Sequence, residues 1–204
     1  MQPDRFTTRA QEALAAAQQL AAATGHSEIR PVHLLKALLG QEDGLLSAII
    51  GKLGLDKGAI TAAADTVLGK TPRAYGESLA QPSLSRQLSA VLARAEKEQA
   101  GLKDDFLSVE HLVLALAAEE GDTGTMLRGQ GLAHGGILQA LQGIRGSHRV
   151  TSPEPEAQYQ ALEKYTIDLT ARASSGRIDP VIGRDGEIRR VMQVNPQLSQ
   201  NMSA

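Results

Sequence analysis

The chain has 204 residues, 42% of them hydrophobic and 22% charged, which is enough for one or two compact domains. Its net charge of −2, with no basic stripe, argues against nucleic acid as the principal partner, and its longest apolar run, 112 to 118, is far shorter than the ~20 residues of a membrane span. Aromatic residues make up only 2% and cysteine is absent, which excludes disulfides, thiolate metal sites and a cysteine nucleophile. We therefore expect a soluble helical protein of the cytoplasm, with a core of Leu, Ile, Val and Ala.

Four helices are predicted before residue 70. Their boundaries follow from caps, prolines and glycines in the sequence. The predicted helices run from about 8 to 23 behind a capping-box-like Thr8-x-x-Gln11, from 31 to 40 behind a first-turn proline, from 45 to 53 before Gly54, and from Asp56, an N-cap, to about 68.

A loop rich in Pro, Gly and Ser follows at 71 to 83, and a second set of four helices comes after it. This set is predicted at about 83 to 100, 109 to 118, 123 to 128 and 136 to 144. The second set repeats the first: IRPVHLLKALL at 29 to 39 matches LSVEHLVLALA at 107 to 117, so that His33 and His111 align with an offset of 78. We expect an all-α fold in which two pseudo-repeated four-helix units pack as one domain.

The repeat accounts for the two aligned histidines without a metal. They hold equivalent positions, neither belongs to a ligand cluster such as HExxH, and zinc needs three or four ligands, so we expect a structural role for both and no metal. The sequence shows no GxSxG, no phosphate-binding loop and no spaced carboxylate–histidine set. No catalytic residues are predicted, and the chain is not expected to be an enzyme.

The repeat pair is followed by a linker and then by LEKYTIDLTARASSGRIDPVIGRDGEIRRVMQV. Together with the opening DRFTTRAQEALAAAQQLA, these residues resemble the start of a Clp-family AAA+ chaperone, most closely of the ClpB type of protein disaggregase. The resemblance implies four segments: a Clp N-terminal repeat domain at 1–146 with repeats at about 6–70 and 83–146, a linker at 147–158, an incomplete start of the AAA+ domain at 159–194, and an unmatched tail at 195–204.

The resemblance also implies a function in stress response. The family's N-terminal domain captures unfolded or aggregated polypeptide, and a homo-hexameric ring that uses ATP and magnesium and cooperates with a DnaK-type chaperone threads it. In this chain the pattern stops before a Walker A loop, so we expect no ATP binding and a monomeric fragment without the motor. Only the adenine-contact segment Val181, Ile182 and Gly183 is present. The alternative is an adaptor-docking or regulatory domain of a protease-associated Clp ATPase.

Substrate-binding residues are likewise carried over from the family. Thr7, Asp104 and Glu110 are the polar candidates at a shallow groove between the copies. Leu14, Leu88 and Leu92 are weaker apolar candidates. Core packing is the favoured role of the repeat-equivalent Leu14 and Leu92, and Leu88, on the same helix face as Leu92, shares this ambiguity. Asp104 and Glu110 have no acidic counterpart in the first copy, where the offset of 78 gives His26 and Val32. Glu110 is expected to be exposed, so that its replacement by Ala leaves the melting temperature nearly unchanged.

The stretch from 146 to 158 has two prolines and few large apolar side chains, and it is expected to be a flexible tether. Beyond it, an apolar stripe at helical spacing predicts a marginal helix at about 157 to 173, with 174 to 204 less ordered.

Overall fold

The computed structural model describes residues 5–42, 44–73, 81–146 and 148–155. All of them belong to the first of two units, which covers residues 1 to 162. The predicted helix at 157 to 173, the AAA+ segment at 159–194 with Val181, Ile182 and Gly183, and the tail at 195–204 lie outside the described residues.

Eight helices and one pair of very short strands make up the described part of the chain, which confirms the all-α class. In chain order they are α1 (Thr8–Ala23), β1 (Glu28–Ile29), α2 (Pro31–Gly40), α3 (Leu45–Lys52), α4 (Lys57–Gly69), β2 (Ser83–Leu84), α5 (Arg86–Leu102), α6 (Val109–Ala117), α7 (Asp122–Gly129) and α8 (His134–Arg145). The helices of the first copy, α1 to α4, correspond to α5 to α8 of the second.

The predicted N-cap of the first helix and the predicted start of the fifth need correction. The N-cap of α1 is Thr7, whose hydroxyl accepts a hydrogen bond from the N–H of Ala10 at 3.3 Å, and not Thr8. Helix α5 begins at Arg86 rather than at 83, because Ser83 and Leu84 are extended and pair with β1. Both helices thus begin in the same way, each behind a capping hydroxyl at the end of an extended segment.

The two copies exchange backbone hydrogen bonds across their junction. In one pairing, the N–H of Thr7 donates to the carbonyl of Leu107 at 2.9 Å. In the other, the N–H of Ser85 donates to the carbonyl of Ile29 at 3.1 Å. Adding 78 to residues 7 and 29 gives 85 and 107, so the second bond is the first with the copies interchanged. The extended residues before the first helix of each copy therefore pair with the loop of the other copy.

Helix packing also joins the two copies. Helices α1 and α2 pack together, as do α5 and α6, whereas α3 packs against α8 and α4 against α7 across the junction. Four alanines form the buried face of α1, namely Ala10, Ala13, Ala17 and Ala21. Their small side chains let α1 approach α2 closely, and the corresponding face of α5 carries larger residues.

The segment after α8 is not a free tether over the residues that the structure describes. Val150 is fully buried, its carbonyl accepts from the N–H of Asp105 at 2.9 Å, and the N–H of Thr8 donates to the carbonyl of Pro153 at 2.9 Å. The expectation of a flexible tether is therefore wrong for residues 148–155. The boundaries of the domain and of the linker stay predictions.

Gly124 in α7 provides a test of the packing. A Cβ built on Gly124 would lie 1.9 Å from the carbonyl oxygen of Glu119, whereas one built on Gly129 of the same helix meets nothing within 4 Å. Because backbone cannot yield as a side chain can, we expect Gly124→Ala to lower the free energy of unfolding by about 2 kcal/mol or more. Urea denaturation measures this. Gly129→Ala is the matched control and should be neutral or slightly stabilising, and equal stability of the two variants would contradict the packing described.

Candidate functional site

Two buried histidines anchor the starts of α2 and α6. The Nδ1 atom of His33 accepts a hydrogen bond from the N–H of Arg30 at 2.9 Å, and Nδ1 of His111 accepts from the N–H of Ser108 at 2.9 Å. Both imidazoles are fully buried. Because Nδ1 is an acceptor, the neutral ring carries its proton on Nε2. The equivalent environments confirm the repeat and agree with a structural role.

The two histidines differ in what their Nε2–H groups meet. His33 donates to Nδ1 of His26 at 2.8 Å, and His111 donates to Oδ2 of Asp104 at 3.0 Å. Both partners lie seven residues before their histidine, so His26 and Asp104 occupy the same place in the two copies. A carboxylate therefore replaces an imidazole in the second copy.

Asp104 is the centre of a buried ion cluster. Its carboxylate accepts two hydrogen bonds from Arg145, at 2.8 and 3.0 Å, and one from the N–H of Val150 at 2.8 Å, in addition to that from His111. Arg145 also contacts Oε1 of Glu110 at 2.5 Å. The cluster, defined by Asp104, Glu110, His111 and Arg145, joins the α5–α6 loop, the start of α6, the end of α8 and the segment after it.

The charges of the cluster follow from these contacts. Burial alone would raise the pKa of Asp104, but the hydrogen bonds from Arg145 and Val150 and the charge of Arg145 outweigh it, so this pKa lies below its usual value. Burial lowers the pKa of His111 to about 4, although Asp104 opposes the shift. At neutral pH, Arg145 is therefore the counter-ion of Asp104, and His111 is a neutral donor.

The cluster has some of the groups of a metal site. Ligand atoms of Asp104, Glu110 and His111 lie within 4.8 Å of one another. The guanidinium of Arg145, however, lies against both carboxylates. A divalent cation would have to displace a charge that already balances the two acids, so the arrangement does not fit a metal ion.

The predicted substrate-binding residues do not form an exposed surface. Thr7, Glu110, Leu88 and Leu92 are at most 2% exposed and Asp104 is 7% exposed, so the expectation of an open groove lined by them is wrong for these five. Leu88 and Leu92 belong to the core, and Leu14 is half-buried against it. An effect of any of the six on polypeptide capture stays a prediction.

A different groove, of about 990 Å³, lies mainly on the second copy, beside its junction with the first. Glu28 and Arg30 of the first copy contribute to its wall, and the rest comes from α5, the end of α6 and the loop after it. Its apolar lining residues are small: Ala90, Val91, Ala93, Ala115 and Ala118. None of these five residues was among the predicted binding residues. The exposed positions Ala90 and Ala93, on an otherwise charged helix face, are the only hint that the sequence offers.

The charges around this groove are unevenly paired. Oε1 of Glu98 lies 3.0 Å from Nε2 of His134, and the carboxylate of Glu119 accepts the N–H groups of Gly121 and Gly124 at 2.8 Å each. Arg86 and Lys97 have no carboxylate within 4.0 Å among the residues described. Two cations on the α5 wall are thus available to a ligand.

Known proteins match both the sequence and this architecture. The Clp repeat (R) N-terminal domain family matches residues 5–130. The chain belongs to the Clp repeat family. The chaperone protein ClpB of Mycobacterium tuberculosis (strain ATCC 25618 / H37Rv) is 46% identical over 195 residues, which cover 96% of this chain and 23% of that protein. ClpB of Bacillus cereus is 42% identical over 203 residues, or 98% of this chain and again 23% of the relative.

Solved structures show the same fold in other Clp N-domains. The N-terminal domain of Hsp104 from Candida albicans has a TM-score of 0.65 at 23% identity and covers 74% of this chain and 98% of that one. A ClpV N-domain in complex with a VipB peptide has a TM-score of 0.53 at 18% identity and covers 67% and 89%. This chain therefore contains a ClpB-like chaperone N-domain and spans less than a quarter of the length of these ClpB relatives. No helix in the described ranges has the length and apolar character needed to cross a membrane.

The buried histidines predict a pH-dependent stability. The pKa of His33 and of His111 is lowered from 6.5 to about 4, mainly by burial, so between these values the unfolded chain binds more protons than the folded one. Stability should be complete above pH 6.5 and fall towards pH 4, by up to about 1.4 kcal/mol per pH unit for each histidine. Urea titrations at several pH values measure this slope. His33→Gln should reduce it and the exposed His148→Gln should not, whereas a flat profile in the parent chain would contradict the assignment.

Because Glu110 is buried, its replacement by Ala is expected to lower the stability of the domain rather than to leave it nearly unchanged. Glu110→Ala leaves Arg145 with one carboxylate instead of two in a buried cluster, so we expect a loss of about 2 kcal/mol or more in unfolding free energy. Thermal and urea unfolding measure the loss. The exposed Glu120→Ala is the control and should change stability by less than about 0.5 kcal/mol. Equal melting temperatures for the two variants would restore the original expectation of an exposed acid.

Proposed function

We propose that this chain is the substrate-recognition module of a ClpB-like disaggregase and that it binds unfolded or aggregated polypeptide in the groove along α5. The observation that carries the proposal is a groove of about 990 Å³, lined by small apolar side chains and rimmed by charges, in a Clp repeat domain. This volume lies near the top of the range of about 300–1,000 Å³ found for ligand pockets.

The small lining residues determine what the groove accepts. Ala90, Ala93 and Ala118 leave space that a large side chain of a client can fill, and burial of such a side chain contributes roughly 1.5–3 kcal/mol. Unfolded segments expose Leu, Ile, Val and aromatic residues, which native proteins bury. The groove therefore selects for non-native structure rather than for one sequence.

The available cations add a weaker preference. Arg86 and Lys97 lie on the groove wall without a carboxylate partner in the described part of the chain, so an acidic residue beside the apolar anchor of a client would contact them. Each such exposed pair contributes about 0.2–1 kcal/mol and is screened by salt. We expect acidic flanking residues to tighten binding modestly, and chiefly at low ionic strength.

The motor belongs to the remainder of a complete protein. This chain covers 23% of its ClpB relatives, and in the complete protein we propose a cytoplasmic homo-hexamer that uses ATP and magnesium and cooperates with a DnaK-type chaperone. The chain itself supplies recognition and, as part of the proposal, no nucleotide binding and no catalysis.

Docking of a defined adaptor is the second candidate. It is favoured by one observation, that a ClpV N-domain of the same fold forms a complex with a VipB peptide. The two candidates differ in selectivity. A capture module binds several unrelated unfolded chains with similar affinity, whereas an adaptor site binds one partner segment and ignores the others.

A groove-filling substitution tests the proposal. Ala90→Phe places an aromatic ring at an exposed groove position of α5, where it competes with the side chain of a client. We expect at least about fivefold weaker binding of a reduced, carboxymethylated and therefore permanently unfolded protein, equal to about 1 kcal/mol. Titration followed by NMR measures the affinity and should shift amides of α5 and α6 in a saturable way.

Ala100→Phe is the matched control, because Ala100 is exposed on α5 but outside the groove, and it should bind like the parent. Equal weakening by both variants would place the client elsewhere. Binding of one client but not of a second, unrelated unfolded protein would favour the adaptor candidate. Saturable binding of ATP with magnesium would contradict the absence of nucleotide binding.

A further inference from the structure

We call residues 148–155, which follow α8, the strap, and its backbone is held to the domain at three points. The carbonyl of Val150 accepts from the N–H groups of Asp105 and Phe106 at 2.9 and 3.4 Å. The N–H of Val150 donates to Asp104 at 2.8 Å. The N–H of Thr8 donates to the carbonyl of Pro153 at 2.9 Å. The strap therefore lies along the α5–α6 loop and reaches the start of α1.

Asp104 connects the strap to the buried ion cluster. It is the side chain that contacts both Val150 and Arg145, and Arg145 is the last residue of α8. Glu110 accepts a hydrogen bond from Nη1 of Arg145, the nitrogen that also donates to Asp104. A buried carboxylate with charged and neutral donors on both oxygens is held in one orientation, so Asp104 presents a fixed acceptor to the backbone of the strap.

In the first copy, the position equivalent to Asp104 is not part of an ion cluster. There the residue in the place of Asp104 is His26, which hydrogen-bonds the backbone of Thr71 in the segment that follows α4. The same contact between a loop and the chain after the fourth helix thus exists in both copies. The counterpart of Glu110 is Val32, and Leu68 of α4 stands where α8 has Arg145. The ion cluster is present only in the copy after which the chain continues beyond the domain.

We propose that Asp104, Glu110 and Arg145 are positioning residues that fasten the strap, and that the strap can detach while the eight helices stay folded. Fastened, it fixes the point beside α1 from which the chain beyond residue 155 continues. Detached, it lengthens the connection by about eight residues, or up to about 26 Å of extended chain. The cluster thereby sets how far the recognition module can move from whatever follows it, without contacting a client.

Amide hydrogen exchange on the full chain tests the fastening. Asp104→Asn keeps the size of the side chain but removes its charge, and we expect at least tenfold faster exchange at Thr8, Val150 and the neighbouring strap amides. Asp105→Asn is the matched control, since Asp105 is the adjacent acid and its side-chain contact with Arg149 of the strap, at 3.3 Å, is exposed on both sides and therefore contributes little. It should change these rates less than twofold, and amides of α2 should be unchanged in both variants.

A strap-borne variant covers the case in which Asp104→Asn destabilises the whole domain. Val150→Asp leaves the cluster intact but places a carboxylate on the strap beside Asp104, and it should release the strap while α2 and α6 keep their protection. Unchanged strap exchange in both variants would overturn the proposal. So would a loss of protection in α2 and α6 together with the strap in Val150→Asp.

The affinity for an unfolded client separates fastening from direct contact. Binding by Val150→Asp should stay within twofold of the parent, since the groove is lined by other residues. Loss of client binding in Asp104→Asn with unchanged strap exchange would assign Asp104 to the client and refute its positioning role. Absence of client binding in the parent chain would refute the proposed capture function alone, because the exchange result stands without it.

Discussion

Exchange of backbone hydrogen bonds between the two copies is the constraint on which the rest of the structure depends. Each copy contributes an extended segment that pairs with the loop of the other, at Thr7 with Leu107 and at Ser85 with Ile29. Separating the copies would leave these donors and acceptors unpaired and would expose the buried side chains of Phe6 and Ile29. Neither four-helix copy is therefore complete alone, and the groove, whose wall includes Glu28 and Arg30 of the first copy, lies beside their junction.

Duplication also allowed one position to acquire a new role without altering the fold. The helix-start histidines are kept in both copies, because each satisfies a backbone N–H that the helix leaves unpaired. The residue seven positions earlier is free to differ, provided that its side chain accepts a hydrogen bond from the Nε2–H group of the histidine. An imidazole satisfies this need in the first copy. A carboxylate does so in the second, and its negative charge is what recruits Arg145 from α8.

Alanine has two different uses in the domain. On α1 it is buried at Ala10, Ala13, Ala17 and Ala21, where a small side chain allows close helix packing. On α5 it is exposed at Ala90 and Ala93, where the same small side chain leaves an unfilled groove. The proposed recognition surface thus depends on a lack of side-chain volume. This suits clients that share no sequence and present only a large apolar group.

The sequence by itself determined the local structure. Helix bounds such as 8 to 23 and 31 to 40 follow from caps, prolines and apolar spacing, all of which are short-range, and the repeat determined the pairing of the copies into an all-α domain. The tertiary structure decided which side chains are exposed and which residues they contact. Asp104 and Glu110 look like surface acids because their counter-ion, Arg145, is 41 and 35 residues away along the chain. The pairing of β1 with β2, two residues each, leaves no periodic signal, and the contact of Val150 with Asp104 depends on where α8 ends in space. Short-range sequence patterns indicate whether a helix or a strand forms, whereas the burial of a charged side chain depends on residues that only the folded chain brings together.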